Sequence, residues 1–375
     1  MPRHKLLCIL HLPPPIHGAS VVGQIITQSE LINNSFDCDY INLTTANSLE
    51  DLGTFNFEKL ITGLKVYWKV VSYLLKKRYD LCYFTINSRG PSFYKELFIV
   101  LILKCFRQNI VYHYHNKGVS ENQSSFIKNL LYRFQFKAQR VILLSPNLYY
   151  DVKNYVSGNM VYFCANGIPD NPSVIKSLEK RSDIQRLLFL SNMFISKGVF
   201  LLLESCKILA DRNIKFECHF VGKWTAEISK KEFDDKCKEY HLTEIISSHG
   251  EKNGHEKDLY FSESSIFVFP TFKECFPLVI LEAMKWALPV ISTEEGAIPE
   301  IVEDGITGFV TPKSNPKLIA DKIEILLKND TLQKAMGQNG RDKFERLYTL
   351  EKFEHNFIET LNQILIDFEK EGSRN

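Results

Sequence analysis

Apolar and polar positions alternate along this chain on two length scales. Short apolar runs, such as Lys5–Leu12, Leu81–Ile86, Asn109–Tyr114, Arg140–Leu144 and Met160–Cys164, have the length and continuity of buried strands. Between them lie segments in which apolar residues recur every three or four positions: Val21–Leu31, Ser92–Phe106, Ser124–Ala138 and Pro146–Tyr155. These predict amphipathic helices. A Pro/Ser/Asn/Lys/Glu-rich stretch over 169–186 reads as a linker, and the rhythm then restarts. Strands are predicted at Arg186–Leu190, Phe216–Val221, Ile245–Ser247, Ser265–Pro270, Pro289–Ser292 and Thr307–Thr311. Helices are predicted at Val199–Arg212, Ala226–Tyr240, Lys257–Ser264, Leu278–Trp286 and Pro316–Leu327, with a tail helix over Leu350–Phe368. Strands alternating with covering helices imply parallel sheets, hence two doubly wound α/β domains with ligands at the carboxyl ends of the strands, in the crevice between domains.

The 375-residue length and the 45% hydrophobic content fit two globular domains with cores of their own. The net charge of +2 hides an asymmetry: residues 1–170 carry 18 Lys/Arg against 11 Asp/Glu, while 171–375 carry 28 against 33. A basic first half points to an anionic partner, a phosphorylated acceptor or an anionic membrane surface, and no nucleic-acid motif accompanies it. Nine scattered cysteines without a C-x-x-C pair predict reduced thiols and a cytoplasmic location. No apolar run approaches the ~20 residues that cross a bilayer.

The stretch 265–311 carries the chemistry. A strand ending at Pro270 is followed by the loop Thr271–Pro277 and a helix, with Pro277 expected in the first helical turn. A helix N-terminus there offers free N–H groups and a positive dipole end to an anion such as a diphosphate. Glu282 falls among apolar helix residues, where a carboxylate needs hydrogen-bond partners. Ribose hydroxyls would serve, and so would a neighbouring lysine. Glu274 either faces a ligand or stabilises the helix start.

Glu274-Cys275-Phe276-Pro277-Leu278-Val279-Ile280-Leu281-Glu282, then Leu288–Thr293, Gly296–Val302 and Gly305–Val310, closely resemble the donor-binding segment of glycosyltransferase family 4. The resemblance covers about 45 residues at family spacing and extends more weakly over most of the chain. It implies the GT-B fold, two Rossmann-like domains facing each other across a cleft: an acceptor-binding domain over 1–168, a nucleotide-sugar domain over 169–349, and a helix over 350–375 returning to the first. It implies that Glu274 faces the donor sugar, that Glu282 binds ribose hydroxyls, that Lys197-Gly198 is the phosphate-binding pair, and that backbone groups of Cys275, Phe276 and Leu278 around Pro277 hold donor phosphate. In the first domain Gly18 matches the glycine loop after strand one. His115, with His113 in reserve, matches the active-site histidine. Asn192 stands where the family carries an arginine, His17 replaces the first loop glycine, and Ala287 stands where glycine ends a helix.

The reaction so implied is retaining transfer of a sugar from a nucleoside-diphosphate donor, uridine favoured, to a hydroxyl of a saccharide acceptor in surface polysaccharide assembly. No cofactor is expected, because the nucleotide sugar is a substrate, and no metal is assigned. Residues 58–79 interleave Lys59, Lys65, Lys69, Lys76, Lys77 and Arg78 with apolar positions. Together with Lys128, Arg133, Lys137 and Arg140 they suggest a lipid-linked acceptor and peripheral contact with an anionic membrane, weighed against an ordinary surface helix. The competing readings are a GT-B sugar-nucleotide epimerase and a non-catalytic sugar-nucleotide-binding partner. The absence of G-x-G-x-x-G after strand one argues against a nicotinamide dehydrogenase.

Overall fold

A computed structural model describes residues 3–15, 18–44, 57–170 and 184–372, with the backbone alone over 57–61. The chain divides into two compact units, Met1–Asn166 with Glu351–Asn375, and Gly167–Leu350.

In the first unit the order is β1 (Lys5–Leu10), α1 (Gly18–Gln28), α2 (Glu30–Ser35), β2 (Asp37–Asn42), α3 (Phe57–Lys76), β3 (Leu81–Thr85), α4 (Gly90–Cys105), β4 (Ile110–Tyr114), α5 (Val119–Asn122), α6 (Phe126–Phe136), β5 (Arg140–Leu143) and β6 (Val161–Phe163). All pairings are parallel, in the order β2-β1-β3-β4-β5-β6. Strands β3, β4 and β5 are buried at every position, which is why they read as unbroken apolar runs rather than alternating ones. Pro146–Asp151, part of a predicted α-helix, is a 3-10 turn capped by Ser145 Oγ, which accepts from Asn147 N–H at 3.1 Å.

The second unit runs β7 (Arg186–Leu190), α7 (Val199–Asp211), β8 (Glu217–Val221), α8 (Lys230–Glu239), β9 (Ile246–Ser248), α9 (Gly254–Ser262), β10 (Ile266–Phe269), α10 (Leu278–Lys285), β11 (Val290–Thr293), α11 (Ile298–Ile301), β12 (Gly308–Thr311), α12 (Pro316–Leu327) and α13 (Asp330–Leu347). Its sheet, again all parallel, has the order β12-β11-β10-β7-β8-β9. Helix α13 was not expected from periodicity, because polar or small residues interrupt its inward face between Met336 and Phe344. Gln333, Gly337, Gly340 and Arg341 are buried, and Arg341 spans Asp170 at 2.6 and 2.8 Å and the Lys285 carbonyl at 3.0 Å.

The last helix, α14 (Leu350–Gly372), lies with the first unit from Glu351 onward. Its Phe353, Phe357, Leu361, Ile364 and Leu365 are buried. The Phe357 ring meets Tyr83 edge-on at 5.1 Å. Further along, Tyr162 donates to Asp367 at 2.7 Å, and the buried Arg140 pairs with Glu371 at 2.5 Å while lying over the Phe368 ring.

Candidate active site

In each sheet the chain reverses its direction of growth beside its first strand. For the second unit that point lies between β7 and β10, whose following loops therefore sit side by side. Doubly wound sheets bind ligands outside the carboxyl ends of strands at such a point. Lys197 follows β7 and Glu274 follows β10, and the two side chains form an ion pair although they lie 77 residues apart. Both are about one-fifth exposed.

Backbone contacts hold the two loops together. Phe272 N–H and Thr271 Oγ1–H both donate to the Ser196 carbonyl at 3.0 Å. Gly198 has φ +84°, and a Cβ there would fall 2.2 Å from the Pro270 carbonyl oxygen. The sequence Lys-Gly is thus a geometric necessity as well as a motif: only glycine lets the lysine loop approach Pro270 so closely.

The loop after β11 props the Glu274–Pro277 turn from behind. Glu274 N–H donates to Glu295 Oε1 at 3.0 Å, Ala297 N–H donates to the Cys275 carbonyl at 2.8 Å, and Glu295 pairs with Lys313. Gly296, at φ +56°, has the Glu274 and Cys275 carbonyl oxygens where a Cβ would sit, 2.6 Å away. Glu295 is only 1% exposed. Sequence reasoning passed it over, although it directly precedes the Gly296 of the matched segment.

Pro277 is the residue that precedes α10 rather than part of its first turn, with φ −74° and ψ 110°. Leu278 and Val279 head the helix, so their N–H groups have no carbonyl a turn earlier within it. Cys275 and Phe276 are buried, the Phe276 ring lying 6.1 Å from that of Tyr348, so any ligand contact by these two falls to the backbone. Glu282 is less enclosed than the apolar helix suggested: its carboxylate is 22% exposed and pairs with Lys257 of α9 at 2.5 Å. Asn192 lies two residues past β7, on the loop that leads to Lys197. Ala287 has φ +54°, the left-handed conformation glycine would adopt without strain.

In the first unit the reversal lies between β1 and β3. His17 lies outside the described residues. Gly18 opens α1, exposed, with nothing within 4 Å of a Cβ placed there. The glycine the packing needs is Gly23, where a Cβ would lie 2.0 Å from the His11 carbonyl oxygen.

His113 is completely buried in β4, its Nδ1 2.7 Å from the Tyr83 hydroxyl; burial, reinforced by the adjacent His115, holds its pKa well below the usual histidine range. His115, just past the strand end, is partly exposed, and its ring lies 4.2 Å from that of His113. Of the two, His115 is the less buried, although both of its ring nitrogens are covered.

An Asp-x-Asp spacing that motif reading overlooked, Asp37-Cys38-Asp39, lies on the edge strand β2. Lys77 pairs with Asp37 at 2.9 Å and with Asp39 at 3.0 Å, and Tyr79 donates to Asp39 at 2.8 Å. This clamp fixes the strand edge and takes Lys77 out of the exposed basic face of α3. No group of three or more metal-ligating side chains occurs among the described residues.

Residues 170–343 match the family model described as glycosyl transferases group 1. The capsular polysaccharide biosynthesis glycosyltransferase CapM of Staphylococcus aureus is 25% identical over 284 residues, 71% of this chain and 73% of that protein. Sucrose-phosphate synthase from Thermosynechococcus elongatus superposes with a TM-score of 0.74 at 19% identity, covering 97% of this chain and 100% of that one. Anabaena HepE in complex with UDP also gives 0.74, at 16% identity, over 96% and 100%. At such identities the structural likeness is one of fold, which is GT-B: two Rossmann-like units.

Proposed function

We propose that this chain, whose residues 170–343 are a glycosyl transferases group 1 domain, moves a sugar from a nucleoside-diphosphate sugar, preferentially a UDP-sugar, to a hydroxyl of a saccharide acceptor with retention of configuration. The observation that carries the reading is the Lys197–Glu274 pair at the switch point of the second sheet, ahead of the α10 N-terminus. A diphosphate set there meets the Lys197 ammonium and the Leu278 and Val279 N–H groups, all of which stabilise charge building on a leaving group. Glu274 faces the sugar, and Glu282, sharing its carboxylate with Lys257, meets the ribose.

In the proposed step the acceptor oxygen bonds to the anomeric carbon as the bond from that carbon to the phosphate oxygen breaks. The electron pair and the acceptor's proton both pass to the departing phosphate. His115 lines the acceptor side, and the reading assigns no metal.

The acceptor we favour is lipid-linked, presented at an anionic membrane surface. Supporting this, α3 exposes Leu64, Trp68 and Leu75 beside the exposed Lys65, Lys69 and Lys76, and α6 exposes Phe126, Ile127 and Leu130. Trp68 is 73% and Phe126 84% exposed, unusual for residues whose burial is worth roughly 2–3 kcal/mol each. No helix of the described residues is long and apolar enough to cross a membrane. Charge reversal at Lys65, Lys69 and Lys76 is expected to weaken binding to phosphatidylglycerol vesicles. Unchanged binding would refute the membrane contact.

The deciding test is thermal shift against UDP- and GDP-sugars in EDTA. A donor at about 100 times its Kd stabilises by roughly 2.7 kcal/mol. One nucleotide class is expected to shift the wild type and to lose its effect in Lys197→Ala. Folded protein that responds to none overturns the reading, and a donor response abolished by EDTA overturns the metal-free assignment.

A further inference from the structure

Buried side chains of β11 and β12 sew together the loops at the carboxyl edge of the second sheet. Ser292 Oγ–H donates to the Phe269 carbonyl at 2.6 Å, Thr293 Oγ1–H to the Thr271 carbonyl, and Thr311 Oγ1–H to the Ser292 carbonyl at 3.2 Å. All three residues are buried. Order thus passes from the edge strand β12 through β11 to the loop that carries Glu274.

Glu295 closes the same series with a charge. Its Oε1 accepts from Glu274 N–H at 3.0 Å, and its carboxylate pairs with Lys313, two residues past β12. Glu295 is 1% exposed and Lys313 40%, so the pair runs from the interior to the surface. With its N–H bound to Glu295, Glu274 is held by its backbone while its side chain meets Lys197.

A hydroxyl or amide oxygen would meet the Glu274 N–H without the cost of burying a charge. The carboxylate also has a reach that a neutral acceptor lacks. It sits behind the Glu274–Pro277 turn, next to the Leu278 and Val279 N–H groups that open α10, so its field bears on any anion held there. The Lys313 ammonium offsets that field.

We propose that Glu295 and Lys313 are positioning residues for the donor: Glu295 fixes the Glu274 backbone, and Lys313 balances the buried charge so that a diphosphate can bind at the α10 N-terminus. Neither residue touches the donor. This rests on the transferase reading.

The test is isothermal titration calorimetry of the full chain with UDP and GDP, and with uridine and guanosine, which lack the diphosphate. The nucleotide class that binds the wild type is carried through the variants. A unit charge about 10 Å from a phosphate, at an effective dielectric of about 20, alters binding by roughly tenfold. Lys313→Met is therefore expected to weaken the nucleoside diphosphate about tenfold and to leave the nucleoside unchanged. Lys313→Arg should bind both as the wild type does. Glu295→Gln combined with Lys313→Met keeps an oxygen for the Glu274 N–H and removes both charges, and should restore diphosphate binding to within about twofold of wild type. Glu295→Ala removes the oxygen as well, and should weaken the diphosphate about tenfold whether or not Lys313 is present.

Lys313→Met that binds the diphosphate as tightly as wild type overturns the proposal. So does a loss that falls equally on the nucleoside or persists in the Glu295→Gln, Lys313→Met double variant, since that marks structural damage and not charge. Lys313 is exposed enough for its series to decide the matter even where Glu295→Ala does not fold. A folded wild-type chain that binds neither UDP nor GDP overturns the transferase reading, and this proposal with it.

Discussion

Gly198 offers the sharpest test of whether the Lys197 loop owes its place to close packing. Alanine at φ +84° incurs the left-handed penalty of roughly 1–2 kcal/mol. Its Cβ would also stand 2.2 Å from the Pro270 carbonyl oxygen and 2.7 Å from the carbonyl carbon, both backbone atoms that cannot rotate away. Restoring ordinary contact requires the two loops to part by about 1 Å, and overpacking of this kind adds roughly 1–3 kcal/mol. The total is about 2–5 kcal/mol, or roughly 5–15 °C in Tm for a unit of this size. Gly305 is the control, because its φ is +76° with nothing within 4 Å of a Cβ. Gly305→Ala should cost only the backbone penalty, roughly 1–2 kcal/mol. The same 1 Å displacement carries Lys197 away from Glu274, and misplacement of that size lowers kcat/KM by about a hundredfold. Differential scanning calorimetry and donor turnover on both variants decide the matter. If Gly198→Ala matches Gly305→Ala in Tm and keeps wild-type turnover, the close approach does not position the lysine and the argument fails.

Ala287→Gly should relieve a left-handed alanine worth roughly 1–2 kcal/mol and lose part of that to glycine's greater unfolded-state entropy, raising Tm by about 2 °C in a thermal melt. Asp170→Ala removes the bidentate partner of Arg341, which is buried against the Lys285 carbonyl, and should cost about 3 kcal/mol by urea denaturation, with Asp170→Glu recovering part of it. Because burial raises the Glu96 carboxyl from 4.5 to about 7, the folded state holds that proton more tightly than the unfolded one. Wild type should therefore lose about 3 kcal/mol of stability as pH rises from about 4.5 through 7, a slope that urea melts at several pH values should find absent in Glu96→Gln.

The sequence-based reading located what apolar periodicity encodes and passed over what it does not. The buried parallel strands stood out as continuous runs because both faces of each sheet are covered. Strand β2 did not, because Asp37 and Asp39 interrupt it; they are tolerated at an edge where Lys77 and Tyr79 meet them. Helix α13 has only a broken apolar stripe, because its inward face sets Met336 and Phe344 among two glycines, a glutamine and a paired arginine. Glu96 left a legible trace: it lies on the stripe of Phe93, Val100 and Leu103, where a carboxylate has no reason to be without partners. Those partners, Asn87 and His11, come from two other segments, and spacing along the chain cannot reveal them. Glu295 was hidden for the same reason, since its partners are the Glu274 N–H and Lys313.

What joins these residues is strand order. With the first strand of each unit counted as one, the second sheet has the order 3-2-1-4-5-6 in reverse, and the first has 2-1-3-4-5-6. In both, strand one is flanked by neighbours reached by chain leaving in opposite directions, so its following loop lies open beside the loop of the strand across the switch. Lys197 meets Glu274 across that junction over 77 residues of chain, and His11 meets Asn87 across the equivalent junction over 76. The second junction is closed by a glycine that a Cβ would force apart, Gly198 against the Pro270 carbonyl; in the first unit Gly23 instead packs α1 against the His11 carbonyl, on the β1 side of the junction. A lysine, a histidine or a glutamate taken singly is weak evidence of a site. The same residues placed at the two positions where a doubly wound sheet leaves room for a ligand, with the backbone narrowed to admit them, are much stronger evidence. That placement is a property of topology, which a motif can suggest and only the pairing of strands supplies.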